Sequence, residues 1–65
     1  MTREMVCDGR NLTKKDMKQI QIYGALEGIE ISDCDIRKDE YERVIVLVDD
    51  QPAVNFLRRF GFVGK

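Results

Sequence analysis

Histidine is absent from this 65-residue chain. That removes Ser/His and Cys/His catalysis, since both need an imidazole to take the nucleophile's proton. Cysteine is scarce as well. Cys7 and Cys34 are too few for the disulfide framework that staples small secreted domains, so both read as small apolar residues. With two thiols and no imidazole, a structural zinc site would need carboxylates to complete four ligands. No catalytic residue, metal ligand or cofactor is therefore expected. Nor does any apolar run approach the ~20 residues of a membrane helix. Residues 1–8 are charged and lack the apolar core of an export signal. The expected setting is the reducing cytoplasm, away from membranes.

What is present reads as one globular domain over residues 1–65, with 43% hydrophobic and 35% charged residues. A chain this short buries only about 60% of the surface its unfolded form exposes. Its single core then supplies on the order of 3 to 5 kcal/mol, unless a partner surface adds to it. The net charge of -1 hides a segregation: residues 1–18 sum to +2, residues 27–50 to -6 and residues 51–65 to +3. Nucleic-acid binding is not expected, because it needs a continuous basic footprint. Complementary docking between copies or with a partner fits the layout, and so does ordinary solvated surface charge.

Met5, Val6 and Cys7 predict a short first strand. Thr13 with Asp16 three residues on forms a capping box that starts a helix. Met17, Ile20, Tyr23 and Leu26 recur at helical spacing, with Ile22 and Ala25 widening the stripe. Gly24 inside this helix points to close backbone packing, and Gly28 suits the left-handed residue that ends it. Residues 29–36, IEISDCDI, read as an edge strand with Ile29 and Ile31 sharing a face with Asp33 and Asp35. A polar turn over residues 37–40 leads to a third strand over 42–48. Here Val44, Ile45, Val46, Leu47 and Val48 are apolar on both faces, as in a central strand. Asp49 and Asp50 close it, and Pro52 is expected at the first helical position. Ala53, Phe56, Leu57 and Phe60 form the apolar stripe of a second helix, stopped by Gly61, before Phe62 and Val63 add a last strand.

The order β-α-β-β-α-β predicts an α+β, ferredoxin-like βαββαβ fold: a four-stranded antiparallel sheet with both helices on one face. Strands 1 and 3 would be central. One face would then stay open, exposing either Val44, Val46 and Val48 or Ile45 and Leu47, and such a patch marks an interface. The expected interface comprises Val44, Val46 and Val48 with Ile29 and Ile31. It predicts a homodimer or a protein partner.

Two resemblances bear on this expectation. GIEI at Gly28 to Ile31, VDD at Val48 to Asp50, a helix with Ala53 and Leu57, and GFV at Gly61 to Val63 resemble ACT regulatory domains. That likeness implies a dimer that binds amino acids or other small effectors at the loop after the first strand. Asp8 matches the family's loop aspartate, while Arg10 and Asn11 stand where it has Pro-Gly. The implied ligand residues are Asp8, Arg10, Asn11 and Lys14. The run VLVDDQPAVNFLRRFGFV also resembles the C-terminal motif of GNAT acetyltransferases. Asp50 and Leu57 occupy the positions of that family's Asn and catalytic Tyr, so no acetyl transfer is implied. RNA stacking on the sheet needs aromatics on the central strands, and Met5, Val6, Val44 and Val46 supply none. The expectation is a small non-enzymatic regulatory or interaction protein, with an effector sensor as the alternative.

Overall fold

In the computed structural model, residues 2–7 and 12–64 are described. They form β1 (Arg3–Cys7), α1 (Lys14–Leu26), β2 (Ile36–Lys38), β3 (Val44–Val48), α2 (Gln51–Arg58) and β4 (Val63–Gly64). The strands make one sheet in the order β2-β3-β1-β4, and every neighbouring pair is antiparallel. The fold is α+β, with two helices and an open four-stranded sheet.

Strand alternation sorts β3. Val46 stands opposite Met5 of β1 and Ile36 of β2, and Val46 and Met5 are essentially inaccessible to solvent. Val44, Val46, Val48 and Met5 join Met17 and Ile20 of α1 and Ala53, Val54, Phe56 and Leu57 of α2 in one cluster, with Ile31 and Phe62. Both helices thus share one face of the sheet. The expected interface residues Val44, Val46, Val48 and Ile31 are core, and Ile29 is half-buried against it. This corrects the sequence expectation: β3 turns its valines toward the helices, and the apolar residues left for the other face are Ile45 and Leu47.

Local signals set the helix ends. Thr13 Oγ1 accepts from the Asp16 N–H at 3.2 Å, and Asp16 Oδ2 accepts from the Thr13 N–H at 2.9 Å. This reciprocal pair satisfies two N–H groups that have no partner within the helix. Gly28, at φ +78°, takes the left-handed conformation after α1. Asp50 caps α2 through the Ala53 N–H at 3.0 Å. Pro52 is consequently the second helical residue, one later than expected. Phe60 lies beyond the end of α2 and is partly exposed.

The segment expected as the second strand is different. Residues 29–32 join no sheet, and Asp33–Asp35 make a single 3₁₀ turn; only Ile36–Lys38 pairs with β3. Helix α1 takes the place of a neighbouring strand. The Ile29 N–H donates to Gly24 O at 2.7 Å, and the Gln21 side-chain amide donates to Ile31 O at 2.9 Å. Ile31 is drawn into the core, which Asp33 and Asp35 on the same strand face could not enter without losing their hydration. The turn that follows is displaced to residues 39–43, where Glu42 has φ +62°. The Asp39 carboxylate replaces the expected turn chemistry, accepting from the N–H groups of Tyr41 and Arg43 and from Arg43 Nε at 2.7 Å.

On α1 only Met17, Ile20 and Gly24 are buried, whereas Tyr23 and Leu26 of the expected stripe are exposed. Gly24 explains the rotation. A Cβ there would sit 3.0 Å from Ile29 O and 3.3 Å from the Phe56 ring, so the helix comes to rest on its glycine. Alanine at this site gains about 1 kcal/mol of helix propensity. Yet it must displace a carbonyl whose own residue is tied back to Gly24. Gly24→Ala is expected to destabilise by about 1 kcal/mol net, and Gly24→Val by more, read as midpoint shifts in urea unfolding. A midpoint raised by alanine would show that the 29–31 segment yields freely.

Candidate functional site

The open face of the sheet is less exposed than its composition implies. Arg37, Ile45, Val6 and Val63 form one row across the four strands. Cross-strand neighbours lie within about 5.5 Å, so each central side chain is flanked on both sides. Val6 and Ile45 accordingly expose only 8% and 7% of their surface, although they lie outside the cluster under the helices. Leu47 is half-buried, and Val63 at the sheet edge is exposed.

A larger apolar surface lies on the outside of α1. Leu26 is 80% exposed and Ile22 is 52% exposed, with Ala25 exposed beside them. Tyr23 extends the patch toward α2 by stacking on Phe60, with ring centroids 6.4 Å apart. Phe60 in turn meets Phe56 edge-on at 5.0 Å, which anchors this exposed pair to the core. The sequence carried a signal for this surface: the helix has more apolar residues than one seam against a small sheet can bury.

Charge is sorted to the two ends of the domain. At one end, between the start of α1 and β2, a groove of about 330 Å³ has Met17, Ile36 and Val44 as its apolar lining, with Lys14, Lys18, Arg37 and Lys38 around it. Asp33 also borders it, 3.9 Å from Lys18 Nζ, and accepts from Gln21 Nε2 at 2.9 Å. At the other end, a wider depression of about 920 Å³ is bordered by Glu27, Glu30, Asp35, Asp49 and Asp50. Arg59 reaches into it and pairs with Glu27 at 2.5 Å. Among the described residues no group of three or more Cys, Asp or Glu side chains is arranged to hold a metal ion. No helix among them is long and apolar enough to cross a membrane.

Of the ligand residues implied by the family resemblance, Asp8, Arg10 and Asn11 lie outside the described residues. Lys14 is the first residue of α1 and borders the basic groove. Sequence reasoning missed that Lys38 of β2 and Lys18 of α1 would join it. Lys14 and Lys18 are one turn apart on α1, but Lys38 is 20 residues beyond Lys18 and meets them only when β2 pairs with β3 beneath α1. No protein-family model, curated protein or solved structure matches this chain.

The carboxylates with displaced pKa values have structural roles. Hydrogen bonds from the Thr13 N–H and hydroxyl hold Asp16 below its usual value, outweighing a slight desolvation, and Lys15 helps. For Asp39 the largest influence is desolvation, which raises its pKa, but the bonds from Arg43 and Tyr41 together outweigh it and the net shift is downward. A carboxyl whose folded pKa lies below its unfolded value stabilises above the unfolded value, about 3.9 for Asp, and loses that contribution as pH falls through the folded value. The thermal midpoint should therefore hold steady from pH 7 to about 5 and fall below about pH 4. In Asp16→Asn/Asp39→Asn the fall between pH 5 and 3, followed by circular dichroism, should be shallower. An unchanged slope would remove these two groups as its source.

Proposed function

We infer that this chain is a small non-enzymatic interaction module that acts through protein–protein association, in the first instance as a homodimer. The strand order β2-β3-β1-β4, with all neighbours antiparallel and two helices sharing one face, supports reading its topology as ferredoxin-like βαββαβ. The observation that carries the association is the outward face of α1. It presents Lys15 and Lys18 toward its start, Ile22 in the middle and Leu26 as its last residue, followed by Glu30 and by Glu27, which already pairs with Arg59. Two copies of this helix laid antiparallel about a two-fold axis near Ile22 bring each basic end to the partner's acidic end. Such a surface is self-complementary and closes on itself, as a two-fold interface must. Antiparallel helix dipoles add to the match.

A 13-residue helix is about 20 Å long, shorter than a standard interface of about 800 Å² per partner needs by itself. The stacked Tyr23 and Phe60 would have to contribute, and the dimer is expected at tens of micromolar. Sedimentation velocity should show a concentration-dependent dimer that Leu26→Glu abolishes without lowering the thermal midpoint, since Leu26 is already solvated in one copy. A strict monomer up to about 200 μM (~5 kcal/mol) would overturn association between copies. A dimer broken by Leu47→Glu and indifferent to Leu26→Glu would move the interface to the sheet.

A second reading, that of an effector sensor near the loop after β1, is favoured by the groove at Lys14. It combines a concave apolar lining with a few charged groups, the usual composition of a small-molecule site.

A further inference from the structure

We propose that the groove between α1 and β2 binds an amphiphilic carboxylate, an unbranched acyl chain with a carboxylate head. The inference rests on the sensor reading of that groove and names its ligand class; it does not depend on dimerisation through Ile22 and Leu26. Three observations combine. The lining from Met17, Ile36 and Val44 is apolar; Met17 and Val44 are core residues that show only 6% and 4% of their surface, and Ile36 is the more exposed part of it. Its volume, about 330 Å³, lies at the lower end of the range for small-ligand sites. The bordering charge is mainly positive. Among the described lining residues on this side of the sheet, Lys14 and Lys38 are left over once Lys18 is set against Asp33, which also accepts from Gln21.

That combination selects both parts of the ligand. A fully polar anion would leave the apolar lining wet and gain only screened attraction from exposed lysines. A neutral hydrocarbon would gain the lining and nothing from the cations. A carboxylate on an apolar chain uses both, with its head held at the rim where Lys14 and Lys38 remain hydrated and its chain along Met17, Ile36 and Val44. Strand alternation puts Ile36 and Lys38 on the same side of β2, the side that faces α1. Anchor and lining are therefore offered by one strand.

The test is a two-dimensional NMR titration of the full chain with sodium decanoate, below its micelle concentration, at low salt. Decanol, decylammonium, leucine and glutamate serve as separate probes. Saturable shifts at Met17, Ile36, Val44 and Lys38 with decanoate are expected, weakened at least about tenfold for decanol and absent for decylammonium. Lys14→Glu/Lys38→Glu should weaken decanoate by about tenfold (~1.4 kcal/mol) and leave the thermal midpoint and sedimentation unchanged, because both side chains are exposed. Added salt should weaken binding in the same direction. Equal binding of decanol and decanoate, or shifts centred on Ile22 and Leu26, would overturn the proposal as mere detergent adsorption. Shifts in the groove with leucine or glutamate but none with decanoate would discard the ligand class and keep the sensor reading. No shifts with any probe would discard both.

Discussion

The approach of α1 to the sheet at Gly24 is the constraint on which the remaining arrangement depends. A helix that rests on a glycine brings its backbone within contact of the Phe56 ring and of the Ile29 carbonyl. The neighbouring Ile29 N–H then closes onto Gly24 O. This contact fixes the rotation of α1, so that Met17 and Ile20 share the buried line with Gly24. It also fixes the path of residues 29–32, which follow the helix and stay out of the sheet. Ile31 is thereby delivered to the core and β2 is left only three residues long.

The same rotation creates the surfaces on which function can act. With the buried line set at Met17, Ile20 and Gly24, the other apolar residues of α1 are turned outward. A domain of 65 residues has too little interior to cover both sides of such a helix. Tyr23 and Phe60 shield part of the excess by stacking, while Ile22 and Leu26 remain open to a partner. On the other flank, the short β2 leaves a gap beside α1 that Met17 and Val44 line from below and lysines surround. An apolar face and a basic groove thus arise from one packing decision.

Much of the local structure was readable because it depends on neighbours in sequence. The Thr13–Asp16 box, the stops at Gly28 and Gly61, and the helix start near Pro52 all act within four residues, although the cap proved to be Asp50, one residue earlier than Pro52 at the first helical position implied. β3 was readable for another reason: five consecutive branched or aliphatic residues have no stable place outside a sheet interior. Reading failed where a distant partner replaced a local one. Residues 29–36 carry strand-like alternation, yet Gln21 and Gly24 took the hydrogen bonds that a strand would have supplied. The turn at residues 39–43 lacks glycine and asparagine because the Asp39 carboxylate holds it from within.

The sequence by itself determined both helices, the capping box that starts the first, the central position of β3 and the lack of any imidazole-based chemistry. Each follows from residue type or from spacing shorter than a few turns. Only the tertiary structure decided which side of α1 is buried, which side of β3 meets the helices, and that Lys14, Lys18 and Lys38 surround one groove. A periodic stripe states that a helix has an apolar side, but a stripe wider than its seam admits several rotations. The choice among them was made by a contact between Gly24 and residues 5 and 32 positions away, which no local pattern contains.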